Sequence, residues 1–183
     1  MTLRQTPLAQ RERPAIWRSA LFVLLVSSIT WLGATTVRAL IGNELLKTDP
    51  ETLGLSINNE LPPSAQREAF RLLNICSVTV MIGYVLTMVS GTLFLVTSPF
   101  KMKEHGWLLM SAILLYLFVP VEAVTLYYDW QMIRAEFFQK EELARVQELF
   151  LARVTALQGA PTVASLCYYT IIALAVFQPF RKQ

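Results

Sequence analysis

Glu122 is the residue of this chain best placed to do chemistry. It stands two positions after Pro120, as the one charged residue in an apolar stretch from Trp107 to Tyr128. An ionised group at membrane depth costs at least about 2.5 kcal/mol unless it is paired or hydrated. Its carboxylate must therefore be matched, protonated or used. Pro120 enriches the surroundings, because a proline removes the N–H that would bond the carbonyl of Tyr116 and kinks the helix. By helical rise Glu122 lies about 22 Å along its stretch from Trp107. Arg38, near the end of another apolar stretch, is expected to reach it and form an intramembrane polar pair that fixes helix register. A proton or cation site, or a buried pair with another subunit, are the other uses of such a carboxylate. Asn74, Ser77, Tyr168 and Tyr169 are its expected polar neighbours.

The remaining reactive side chains are few. His105 is the only histidine and falls in a basic turn between Lys103 and Trp107, which leaves no histidine on any apolar stretch to ligate haem. Cys76 and Cys167 have roughly matching depths. Apolar helical thiols are packing groups first, and a disulfide between these two is the minor alternative. The chain carries no C-x-x-C, no G-x-x-x-x-G-K-[ST], no G-x-G-x-x-G, no H-E-x-x-H and no G-x-S-x-G. No catalytic residue, cofactor or metal site is expected.

These residues are positioned by four apolar segments, about 15–41, 72–98, 107–128 and 161–180, each near the ~20 residues that cross a bilayer. Composition agrees: 54% of the 183 residues are hydrophobic and 16% are charged, too few for a soluble domain of this size. The expected fold is all-α, an integral membrane four-helix bundle forming one domain, with helical extramembrane extensions at the loops 43–71 and 129–160. Arg4, Arg11, Arg13, Arg18, Lys101, Lys103, Arg181 and Lys182 gather at one end, opposed by Glu12 and Glu104, while the two longer loops are net acidic. The excess of basic residues places both termini in the cytoplasm and the longer loops outside. Boundary positions of this kind suit anionic lipid headgroups rather than nucleic acid.

Between the first two segments, Asp49-Pro50, Gly54, Asn58-Asn59 and Pro62-Pro63 predict a largely irregular loop. Ser64 is the expected N-cap of a long helix from Ala65 to Ser98, ended by Pro99 and standing about two turns proud of the bilayer. Between Asp129 and Gln158 there is no Gly or Pro, and Leu143, Val146, Phe150, Val154 and Leu157 recur at helical spacing. Because Pro161 must begin a new span almost at once, this region either bends near Gln139 to Glu141 into a helical hairpin, the favoured version, or lies flat on the headgroups. Glu136 with Lys140 and Glu141 with Arg145 are expected i,i+4 pairs. Gly159 and Pro161 read as a helix stop followed by a helix start.

Inside the membrane the clearest packing signal is the ridge Thr79, Gly83, Thr87 and Gly91, at successive i,i+4 positions. In lipid, helices associate by close van der Waals approach and interhelical hydrogen bonds, so such a ridge marks a helix contact. Ser27, Ser28, Gly33 and Ala34 of the first span, or Ala164 and Ser165 of the fourth, are its candidate partners within the chain. A second subunit is the alternative. The expected function is a non-catalytic integral membrane subunit that packs against and stabilises a larger membrane protein complex, in a bacterial inner membrane. A homo-oligomeric channel or transporter with Glu122 in its pathway is the competing expectation. Partners are accordingly other membrane subunits or further copies of the chain, together with the lipid bilayer.

Overall fold

The computed structural model describes residues 8–48, 55–99, 105–139 and 141–179. Helix α1 runs over Leu8–Leu45, followed by a hairpin of β1, Leu46–Thr48, and β2, Leu55–Ile57. Then come α2, Pro63–Thr97, α3, Gly106–Leu117, and α4, Val119–Ile133, which continues as a π-helical turn over Arg134–Gln139. Helix α5, Leu143–Leu157, and α6, Ala160–Phe177, complete the chain. Four helices are long and apolar enough to cross a membrane: Ile16–Leu45, Pro63–Thr97, Gly106–Gln139 and Ala160–Phe177. This is the makeup of a multi-pass membrane protein. The basic residues Arg4, Lys101, Lys103, Arg181 and Lys182, the turn residues Asp49, Pro50 and Gly54, and Lys140 lie outside the described residues.

Prolines set the helix boundaries. Pro63 occupies the first turn of α2, where its missing N–H is not needed and its fixed φ suits the helix. The helix therefore starts two residues before the expected Ala65, capped at Pro62 rather than Ser64. At its far end Ser98 is extended, with φ −66° and ψ 147°, as a residue preceding a proline tends to be. Phe118 breaks the helix ahead of Pro120, separating α3 from α4. The stop after α5 falls on Gln158, whose φ is +46°, while Gly159 keeps a negative φ of −83°. Gly159 was the expected stop.

The loop after α1 is more regular than its composition predicts. Leu46 pairs with Ile57, Lys47 with Ser56 and Thr48 with Leu55 in an antiparallel ladder. Leu46 and Ile57 pack on the core below, and this burial, which is non-local, holds the ladder in place. Exposed Lys47 and Glu60 add an ion pair.

The region after α4 is a helical hairpin. The π turn ends where the Glu141 N–H donates to the Ala135 carbonyl, and α5 folds back against α4 and touches the first turns of α2 through Phe150 on Phe70 and Gln147 on Gln66. Arg67 of α2 secures this corner, donating to the Glu141 carbonyl at 3.2 Å and standing 3.4 Å from the Glu136 carboxylate. A cation at the carboxyl end of a helix is favourable. Arg145 pairs with Glu148 at 2.7 Å and more loosely with the expected Glu141 at 3.9 Å. Leu45, Phe70, Leu73, Met132, Ala135, Val146, Leu149 and Phe150 close into a core of their own, with the Phe70 and Phe150 rings edge to face at 5.5 Å. We call this end of the molecule the head.

Val146 is fully buried in that core. Val146→Ala removes two methyl groups and leaves their space unfilled, so the expected loss is about 2 kcal/mol. A lower melting midpoint in detergent checks it, and an unchanged midpoint would mean that the head does not pack in this way.

Candidate functional site

The sequence places Glu122 and Asp129 seven residues apart, two turns along one face of α4. Both are buried. Arg38 reaches this face from α1, and its guanidinium donates to Asp129 Oδ2. Arg153 of α5 approaches the other oxygen, with Nε 2.8 Å from Asp129 Oδ1. One fully buried carboxylate thus joins three helices by holding two guanidinium groups. The side chains of Arg38 and Arg153 are 8% and 14% exposed, so water screens this arrangement little.

The partner of Arg38 is therefore Asp129, where the sequence suggested Glu122. Glu122 lies one layer deeper, within electrostatic reach of Arg38, Arg153, Asp129 and the hydroxyls of Tyr84 and Tyr168. Burial, and after it the Arg38 cation, lower the Arg153 guanidinium to about 10, against the pull of Asp129. It is still a cation at neutral pH. Asp129 is the carboxylate that both guanidinium groups approach, so each buried cation has a partner, as buried charges require.

Two signals in the sequence mark this cluster. Arg153 falls three residues after Phe150 and seven after Val146, on the apolar face of α5, where a charged residue must have a buried partner. The seven-residue spacing of Glu122 and Asp129 puts both acids on one helix face. Of the other expected neighbours, Tyr168 packs on Trp31 with ring centroids 4.6 Å apart. Tyr169 turns outward and shares a 2.9 Å hydrogen bond with Thr36 of α1. Asn74 and Ser77 are fully buried on α2.

The small-residue ridge on α2 receives α1. Gly83 meets Trp31 so closely that a β-carbon there would lie 2.9 Å from Trp31 Cβ and 3.1 Å from its Cα. One turn on, Thr87 Oγ1 donates to Ser27 Oγ at 3.0 Å, both side chains being buried. Gly91 faces Leu24 of α1 and Leu115 of α3 at ordinary contact distance. Thr79 bonds the Ile75 carbonyl of its own helix. Of the candidate partners, Ser27 fills the ridge together with Trp31, while a β-carbon added at Gly33 would meet nothing within 4 Å. Ala164 packs instead in the Trp31, Tyr84 and Tyr168 cluster.

His105 precedes the first turn of α3, its backbone carbonyl accepting from the Leu108 N–H. Cys76 and Cys167 are both free thiols. Among the described residues no group of three His, Cys, Asp or Glu side chains is arranged to hold a metal ion.

Three cavities follow the seam between α1 and α6, and Leu32 borders all of them. The smallest, about 20 Å³, touches Glu122, Thr125, Arg38 and Tyr168. It is large enough for about one water molecule. The other two, of about 340 and 350 Å³, lie towards the head and towards the terminal end. Comparison with protein-family models, curated proteins and solved structures returns no match.

Proposed function

We propose that the chain is a non-catalytic integral membrane subunit that packs against a larger membrane protein complex and stabilises it. Trp130 and Phe138 carry this reading. They are 50% and 73% exposed, with rings 6.4 Å apart, beside the partly exposed Phe137. Phe138 lies about 46 Å along the rod from Trp107, well past a hydrocarbon core of ~30 Å. With Trp107 at one boundary of the bilayer, acyl chains would end before Phe138. Exposed aromatic side chains on a head with its own closed core are the usual anchors of protein interfaces. In this reading both termini are cytoplasmic, the head faces outward, and a bacterial inner membrane is the host.

The competing reading, a homo-oligomeric channel or transporter, would use Glu122. Against it stands the size of the space at that carboxylate: Thr35, Arg38, Thr125 and Ser165 converge there, but around only about 20 Å³. A pathway needs several convergent polar groups around an open cavity.

Native mass spectrometry of protein extracted gently from its own membrane tests both readings. Other polypeptides in fixed stoichiometry are expected, and Phe138→Asp, at an exposed position, should release them while the chain remains folded. Glu122→Gln should leave the ion or proton flux of reconstituted vesicles unchanged. A homo-oligomer free of other chains, with a flux that Glu122→Gln abolishes, would overturn the subunit reading in favour of transport.

A further inference from the structure

The large cavity beside the head has an unusual wall. Thr35 and Arg38 of α1, Arg153 of α5, and Thr162 and Ser165 of α6 border it. Arg38 and Arg153 are the only charged side chains among the described residues that line it. The two acids of the cluster stand behind them, since neither Asp129 nor Glu122 reaches this wall. A guanidinium has five N–H donors in a fixed fork. Asp129 engages one nitrogen of each arginine, Nη1 of Arg38 and Nε of Arg153, and so leaves donor capacity directed elsewhere. The last turn of α5 and the first turn of α6 meet at the same rim.

Below, across Leu32, the character reverses. The second large cavity lies between α1, α2, α3 and α6 and is walled mainly by Leu25, Phe94, Leu115, Ile171, Ile172 and Val176. Among the described residues no charged side chain lines it. From Arg38 to Leu25 is about 20 Å of helix, somewhat more than half of a ~30 Å hydrocarbon core. The Thr36 and Tyr169 hydroxyls bridge α1 and α6 at the junction.

We propose that the seam between α1 and α6 is a binding site for one anionic phospholipid, its phosphate held by Arg38 and Arg153 and one acyl chain lying past Leu32 in the apolar cavity. Charge complementarity selects the headgroup, because two cations and several hydroxyls face the cavity, with no acid among the described residues that line it. The sign change along the seam orients the molecule, head towards α5 and tail towards α3. A bound phosphate would also relieve the repulsion between the two guanidinium groups, which share a single carboxylate. The inference rests on the multi-pass membrane reading and is independent of whether the chain has protein partners.

The test is native mass spectrometry of the purified full chain in detergent, titrated separately with phosphatidylglycerol, with phosphatidylcholine of the same acyl chains, and with inorganic phosphate. Saturation at one phosphatidylglycerol per chain is expected, with phosphatidylcholine about tenfold weaker or more. Thr162→Glu places a carboxylate in the cationic cavity from an exposed position and should abolish the preference. Arg153→Gln should do the same. Because that variant disturbs the buried cluster, Thr162→Glu decides the matter if Arg153→Gln does not fold. Equal retention of the two lipids, or a preference that survives Thr162→Glu, would overturn the proposal. Inorganic phosphate binding as tightly as phosphatidylglycerol would reduce the site to a free-anion site and overturn the lipid assignment.

Discussion

Asp129→Asn is expected to destabilise the protein by about 3–5 kcal/mol, the loss found when one member of a buried ion pair is removed. Asparagine has nearly the same volume, so packing around α4 is preserved and the effect is electrostatic. Asp129 is fully buried and is the carboxylate that both Arg38 and Arg153 approach. Without its charge two nearly buried guanidinium groups face each other with no paired carboxylate between them. Arg38→Gln should cost less, because Asp129 keeps Arg153. The double variant Asp129→Asn/Arg38→Gln should be less unstable than the sum of the two single variants, by the 0.5–3 kcal/mol typical of directly coupled residues. The check is a double-mutant cycle on the melting midpoint in detergent. A midpoint for Asp129→Asn within experimental error of the parent would show that the cluster contributes nothing to holding α1, α4 and α5 together.

Gly83→Leu is expected to separate α1 from α2 at the centre of the bundle. Even the first added carbon would sit 2.9 Å from Trp31 Cβ and 3.1 Å from Trp31 Cα. The latter is backbone, so no rotamer change relieves the contact and the helices must move apart. Overpacking of this kind costs about 1–3 kcal/mol for small additions, and leucine adds three carbons beyond the first. The displacement would also disturb Trp31, whose ring packs at a tilt on Tyr84 at 5.2 Å and on Tyr168 at 4.6 Å, and the Thr87 to Ser27 hydrogen bond one turn away. Gly33→Ala is the matched control. Nothing lies within 4 Å of its added carbon, so only the helix propensity changes, a gain of about 0.5–1 kcal/mol. Size-exclusion profiles and melting midpoints of the two variants should diverge in opposite directions. Equal behaviour would mean that the close approach of α1 to α2 is not made in the folded protein.

The sequence by itself determined the number of apolar segments, their approximate limits, the unusual length of α2 and the amphipathic helix over 143–157. Those are local properties. Length, hydropathy and the period of apolar positions are set by neighbours a few residues away, and Pro63, Pro99 and Pro161 act on their own backbone. The ridge at Gly83, Thr87 and Gly91 was legible as a contact for the same reason, because it depends on spacing along one helix.

Only the tertiary structure decided what meets these features. Arg38 had two acids on the same face of α4 within plausible reach, and the choice of Asp129 over Glu122 depends on the depth at which α1 crosses α4 and on Arg153 arriving from α5 to share the carboxylate. Tyr168 and Tyr169 are adjacent in sequence, yet one joins the interior and the other clasps Thr36, because successive helical positions point about 100° apart. The small β ladder after α1 is held by burial against a head assembled from α2, α4 and α5. Each of these outcomes is a free-energy difference between alternative partners distant in the chain, and a linear pattern carries the residue types but not the separations on which that difference depends.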